Sequence, residues 1–215
     1  MKPIVIVNFK TYPESTGSKA VGLANALEEA ASGFDVEFGI AVQALDLREV
    51  CKAVNIPVYA QHIDPAGLGK FTGAVAPAAV KAAGAVGSLL NHSECRVERG
   101  KIKETIAIAK KIGLRVMLCA KDLEEAKELL SYSPDYIAIE PPELIGGKVS
   151  VSTARPELIA EAARVIGKRL IVGAGIKNSK DFSTALRLGA KGILLASDID
   201  KAADPKQELK ELLSY

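Results

Sequence analysis

The feature that most constrains this chain is its repeat. Short apolar runs, each of strand length and bounded by polar turns, alternate along the sequence with segments of helical periodicity. The strand candidates are residues 3–8, 36–42, 56–61, 85–91, 115–120, 135–140, 169–174 and 191–196. The helical segments fall at 16–31, 45–53, 77–83, 101–112, 122–130, 156–167, 179–188 and 205–213. Asp122 ahead of LEEAKELL, Pro156 opening PELIAEAARVI and Ser179 ahead of KDFSTALRL are helix start signals, and Gly113, Gly167 and Gly189 follow helices as stop signals. Strands that alternate with helices pair in parallel, and runs that are apolar at nearly every position are buried on both faces. Eight such units predict an α/β fold, a single closed (β/α)8 barrel over residues 1–215, with an open doubly wound sheet as the alternative. One connection, HIDPAGLGKFTGAV after the third run, is long for so compact a chain, and long loops are commonly functional or interfacial.

Charge narrows the function classes. With 28 Lys and Arg against 26 Asp and Glu, no bulk field favours nucleic acid or a membrane surface, so any anionic ligand has to be held locally. Apolar runs such as IVIVNF and GILLA are far shorter than the roughly 20 residues of a membrane-spanning helix, and too short for the core of a signal peptide. Cys51, Cys95 and Cys119 form an odd set without CxxC spacing, which predicts reduced thiols in a cytoplasmic protein.

In a barrel of this kind the active site is built where the strands end. Here those positions carry Asn8 and Lys10, Gln43, Gln61 and His62, Asn91 with His92 and Glu94, Cys119 and Lys121, Glu140, Gly173 to Gly175, and Ala196 with Ser197. Glu140 closes an apolar strand, followed at once by two prolines and then by two glycines, in EPPELIGG. A charge at the rim of a core is costly unless something pairs with it or uses it. Lys10, His92 and Glu140, from three different strands, are the ammonium, imidazole and carboxylate that proton transfer beside a carbonyl requires. No His pair or carboxylate cluster has metal-ligand spacing, so no metal is expected. GAGI (173–176) and LLAS (194–197) follow the seventh and eighth strands, where phosphate is often held by backbone N–H groups.

These residues carry a family resemblance. NFK at 8–10, AQH at 60–62, FTG at 71–73, NHSE at 91–94, IEPPELIGG at 139–147, GAGI and LLAS occur in the order and spacing of the triosephosphate isomerases, and the compact length resembles the short archaeal branch of that family. The resemblance implies interconversion of dihydroxyacetone phosphate and D-glyceraldehyde 3-phosphate through an enediolate, without a cofactor. It implies Glu140 as general base, His92 as neutral electrophile, Lys10 as the cation facing substrate, Asn8 fixing Lys10 and substrate, and Glu94 supporting Lys10. Phosphate would meet backbone N–H groups near Gly146, Gly175, Ala196 and Ser197, with Ile145 carried in by a closing loop. Pro141 and Pro142 suit a stiff hinge of that loop, and Gly146 and Gly147 allow close approach. A cover that excludes water is expected to raise the basicity of Glu140. The family also implies a homo-oligomer, dimer or tetramer, with no nucleic-acid or membrane partner.

Two positions depart from the family pattern. NHSECR places Cys95 where an arginine is usual, which puts a local salt bridge in doubt, and Ala74 follows FTG where longer members carry an acid. Two other readings stay open on the residues alone: a Schiff-base aldolase acting through Lys10 or Lys121, and a barrel that binds sugar phosphates without catalysis.

Overall fold

The structure of the chain, a computed structural model, describes residues 2–141 and 154–215. Eight strands are present: β1 (Ile4–Asn8), β2 (Glu37–Val42), β3 (Val58–Ala60), β4 (Gly87–Leu90), β5 (Arg115–Ala120), β6 (Tyr136–Ile139), β7 (Leu170–Val172) and β8 (Gly192–Leu195). Each pairs in parallel with the next and β8 returns to β1, so the sheet is a closed barrel and the open-sheet alternative is excluded. Among the described residues the helices are α1 (Ser18–Ala31), α2 (Leu47–Ala53), α3 (Pro77–Ala83), α4 (Arg99–Lys111), α5 (Leu123–Leu130), α6 (Pro156–Ile166), α7 (Ser179–Arg187), α8 (Ser197–Asp200) and α9 (Pro205–Leu213). The one-turn α8 is absent from the sequence expectation; four residues are too few for a periodic pattern.

The period of two along each strand divides the apolar residues into two cores. Ile4, Ile6, Ala41, Tyr59, Leu89, Met117, Cys119, Ala138, Ile171 and Leu194 fill the barrel interior. Val5, Val7, Ile40, Val42, Val116, Leu118, Ile137, Ile139, Ile193 and Leu195 alternate with them and pack outward against the helices. That is why nearly every strand position is apolar, as two-sided burial requires. The same parity places the functional end of the barrel. Two residues beyond the interior Ile6, Ala138, Ile171 and Leu194 stand Asn8, Glu140, Gly173 and Ala196, so these four continue the interior stack into its mouth.

Capping chemistry sets the helix starts. The Asp122 carboxylate accepts from the Glu125 N–H at 2.8 Å, and Asp204 does the same for Gln207 at 3.0 Å. At α7 the cap is Asn178, accepting from Asp181 N–H, one residue ahead of the Ser179 start signal. Gly113, Gly167 and Gly189 all adopt positive φ at helix ends.

The expected salt-bridge gap at Cys95 is filled from the next position. Arg96 donates to the carbonyl of Asn91 (3.2 Å) and to Glu125 (3.1 Å), while Arg99 reaches the other Glu125 oxygen at 2.7 Å and Lys121 N–H donates to the same carboxylate at 2.6 Å. Glu125 is buried, and burial pushes its carboxyl up, but these donors outweigh that and hold it below the ordinary carboxylate range. One side chain of α5 thus ties down the β4 loop and the start of α4.

The long 62–75 connection has no helix and is closed by Asp64. Its backbone N–H donates to the Val75 carbonyl (2.9 Å) and its side chain accepts from Val75 N–H (2.7 Å). The tip of that loop exposes Leu68 and Phe71.

Candidate active site

The first strand ends on a buried Asn8, and the chain then turns sharply through Lys10 at φ 45°. A non-glycine residue in that region is strained by about 1–3 kcal/mol and persists only where its surroundings impose it. Here Asn8 Oδ1 accepts from Lys10 N–H at 3.1 Å, and Gln61 donates to the Lys10 carbonyl at 2.9 Å. The turn aims the Lys10 ammonium at Glu94, 2.5 Å from Oε1.

The fourth strand ends in a second imposed turn. Asn91 has φ 60°; its Nδ2 donates to the Cys119 carbonyl (2.9 Å) and its Oδ1 accepts from Val97 N–H (3.0 Å). Asn tolerates that conformation better than most residues. His92 follows, buried, with Nδ1 accepting from the Glu94 backbone N–H at 3.2 Å. An acceptor at Nδ1 leaves the ring proton on Nε2 in the neutral tautomer. Nε2 faces the Glu140 Oε1 at 3.6 Å, longer than a hydrogen bond, so the two groups oppose one another across the mouth.

Glu140 is buried, and its Oε2 has no hydrogen-bond partner among the described residues. An orphaned buried carboxylate oxygen costs free energy and calls for a reason. Burial pushes this carboxyl up, but the His92 ring, the Cys119 thiol and the Lys10 ammonium outweigh it, and the net shift is downward. The ring, the thiol and the ammonium around the oxygens favour the charged form more than burial disfavours it. The direction is toward the ionised carboxylate, the state a base requires.

Room for it is made by its neighbour. Gly173, on the adjacent strand and at the same interior level, continues the ladder with its N–H donated to the Ile139 carbonyl at 3.0 Å. A Cβ there would lie 2.5 Å from Glu140 Cγ.

Asn8, Lys10, His92, Glu140, Gly175, Ala196 and Ser197 all line one pocket. Gly175 and the preceding Ala174 both have φ 71°, turning the backbone into that pocket, and Ala196 starts α8 from an unusual φ of -153° and ψ of -105°. Glu94 lines the adjoining cleft, which shares Asn8, Lys10 and His92. Ile145 and Gly146 lie outside the described residues, as does the expected cover from Pro142 to Gly147. Three lining residues lie outside the sequence expectation: Tyr12, Lys177 and Asp198. Lys177 directly follows GAGI, and this adjacency was the signal that could have found it; Tyr12, two residues past Lys10, sits under the Lys201 ammonium at 4.0 Å.

The Schiff-base alternative finds little support here. Lys121 is exposed and faces Asp122, and Lys10 lies against Glu94; neither is in the apolar pocket that a nucleophilic lysine needs.

Comparison with known proteins agrees with this geometry. The family model described as triosephosphate isomerase matches residues 3–213. The chain is 44% identical to the triosephosphate isomerase of Methanobacterium bryantii, covering 99% of this chain and 96% of the relative. For the protein of the same name from Saccharolobus solfataricus the figures are 43%, 99% and 95%, and for that of Methanosarcina acetivorans 40%, 98% and 97%. The near-complete coverage in both directions extends the likeness to overall length. A closed eight-stranded barrel, a carboxylate, an imidazole and an ammonium at its mouth, and a family match from end to end lead to one conclusion: this chain belongs to the triosephosphate isomerase family.

Proposed function

We propose that the chain interconverts dihydroxyacetone phosphate and D-glyceraldehyde 3-phosphate, with Glu140 as the base that moves a proton between the two carbons. The observation that carries this reading is the opposition of Glu140 and His92 across a 3.6 Å gap beside Lys10. Substrate entering the mouth places its carbonyl oxygen toward His92 Nε2 and its reacting carbon toward the carboxylate. Glu140 takes the proton from one carbon, the His92 N–H and the Lys10 ammonium stabilise the enediolate, the hydroxyl proton passes from one oxygen to the other beside His92 Nε2, and Glu140 returns its proton to the neighbouring carbon. Asn8 and Glu94 hold Lys10 in place. Gly175, Ala196 and Ser197 receive the phosphate, together with Gly146 and Ile145 of the cover. No step calls for a cofactor.

A coupled isomerase assay on the purified chain and on Glu140→Asp tests this. Activity with either triose phosphate is expected, with a loss of at least about 100-fold in the variant, the effect of withdrawing a base by one methylene. An inactive wild type, or an unimpaired variant, sinks the assignment. We further propose that the chain self-associates through the 62–75 loop, whose Leu68 and Phe71 are exposed, and that it works in the cytoplasm, in keeping with its three unpaired cysteines. No helix among the described residues is long and apolar enough to cross a membrane. Light scattering of the wild type against Phe71→Asp reads the association directly.

A further inference from the structure

The pocket carries a second charged pair besides Lys10 and Glu140. Lys177 follows the β7 turn and Asp198 lies in α8 beyond β8, so the two bridge the loops that hold Gly175 and Ser197. Both also border the adjoining cleft toward α9, which Lys10, His92 and Glu140 do not, so the pair stands at the rim. Lys177 Nζ is 3.9 Å from Asp198 Oδ1. That separation exceeds a hydrogen bond, and the ammonium keeps its donors for another acceptor. A partly exposed pair of this kind contributes little to folding.

Both side chains start from fixed backbone. Lys177 N–H donates to the Asp181 carboxylate at 3.1 Å, within the cap of α7. Asp198 precedes Ile199, which is fully buried and anchors α8. The charge balance of the pocket gives the pair its importance. Among the described lining residues, Lys10 and Lys177 are the cations, and Glu140 and Asp198 the carboxylates. These cancel, and Lys10 lies against Glu94 as well. Lys201, which borders the adjoining cleft, is held over the Tyr12 ring at 4.0 Å. A phosphate monoester carries about 1.5–2 negative charges at neutral pH. With no surplus of positive charge to draw it in, it has to be met by directed donors.

We propose that Lys177 is a side-chain ligand of the substrate phosphate and that Asp198 is its counter-charge. Asp198 shares the ammonium when phosphate is bound, and repels the phosphate when the ammonium is removed. This inference rests on the isomerase reading, which puts the phosphate at Gly175, Ala196 and Ser197. Backbone N–H groups meet the phosphate from the turns, and the Lys177 ammonium adds a charged donor from the rim. Because the pair does not touch the reacting carbons, it acts equally on ground and transition states and therefore on binding.

Steady-state isomerase kinetics and calorimetric titration with inorganic phosphate test this on wild type, Lys177→Met, Asp198→Asn and the double variant. Methionine keeps an unbranched apolar stem, and both positions are partly exposed, so folding is spared. Lys177→Met should raise KM and the Kd for inorganic phosphate on the order of 10-fold, the loss of one charge-assisted contact. Its kcat should stay within about threefold of wild type. Asp198→Asn alone should lower both constants by about threefold. Made in the Lys177→Met background it should lower them further than that, since the carboxylate there faces the phosphate unneutralised. Constants unmoved by Lys177→Met, or a fall in kcat at constant KM, overturn the ligand role. An Asp198→Asn protein that holds phosphate no more tightly overturns the counter-charge role. A wild type that isomerises neither triose phosphate defeats the function above, yet the phosphate titration still decides this proposal: no binding by wild type, or binding that Lys177→Met leaves unchanged, overturns it.

Discussion

Gly173→Ala isolates the packing that aims the base. Gly173 does not have positive φ, so alanine meets no left-handed backbone penalty. Its new methyl group would sit 2.5 Å from Glu140 Cγ, 3.0 Å from Oε1 and 3.1 Å from Cδ. Carbon atoms pack at about 3.5–4.0 Å, so the two groups must separate by roughly 1 Å. Glu140 is the side that gives, because Gly173 is pinned by its bond to Ile139 while the carboxylate borders the pocket. A misplacement of about 1 Å costs on the order of 100-fold in rate, or about 2.7 kcal/mol of barrier. Crowding a packed site removes about 1–3 kcal/mol of stability as well. Because Gly175, Ala196 and Ser197 are untouched, the loss should fall on kcat, with KM changed far less. The assay is steady-state isomerase kinetics beside urea unfolding, with Gly33→Ala as control, since a methyl group there meets nothing within 4 Å. A Gly173→Ala enzyme whose kcat stays within about threefold of wild type would refute the argument, for the carboxylate would then tolerate displacement.

Two further predictions concern buried carboxylates. Asp200 is buried, neither side-chain oxygen has a hydrogen-bond partner among the described residues, and burial raises its carboxyl to about 8 despite the nearby Lys10. Between the ordinary value near 3.8 and that value the folded state holds a proton the unfolded state has lost, so Asp200 makes stability fall as pH rises across that window. Asp200→Asn should remove this slope and gain a few kcal/mol at pH 8 over wild type; urea midpoints at pH 5 and 8 check it, and identical slopes in the two proteins would contradict it. Glu125 has the opposite sign: its carboxyl is held low, so its contribution is present above the ordinary carboxylate value and is lost as pH falls through the folded one. Glu125→Gln should cost about 2 kcal/mol at pH 7, the low side for a buried pair because Arg96 and Arg99 are each more than a third exposed. Thermal unfolding at pH 7 and pH 4 reads this: the difference between variant and wild type should shrink on acidification.

Much of this was legible from residue order, for a physical reason. Strand runs are apolar at every position because both faces are covered, and the first polar residue at the end of each is where covering stops. Asn8, Asn91 directly ahead of His92, and Glu140 can be picked out that way, since each marks the edge of a buried element. Glycine could not. Gly173 reads as part of a phosphate turn, and its role as the space for Glu140 exists only through the pairing of β6 with β7. The downward shift of Glu140 rests first on the His92 ring, then on the Cys119 thiol and Lys10, which come from three other strands and meet it only in the closed barrel. Cys95 stands out in the sequence as a departure, but its neighbour His62 lies 33 residues earlier, and the fold of the 62–75 loop around Asp64 decides that they meet.

The alternation that stacks Asn8, Glu140, Gly173 and Ala196 on the interior apolar layers has a consequence for how such a site can change. These side chains are the next course of the same masonry, held by ladder bonds that the strands cannot slip without turning their hydrophobic faces around. Inserting or deleting one residue in a strand would exchange inside for outside and destroy base and core together. The chemistry is thereby locked to the scaffold, whereas the segments between strands can lengthen or be recut at little cost. Novelty in a protein of this build enters through what surrounds the base, and the Lys177–Asp198 pair across the last two strand-end loops is one such addition.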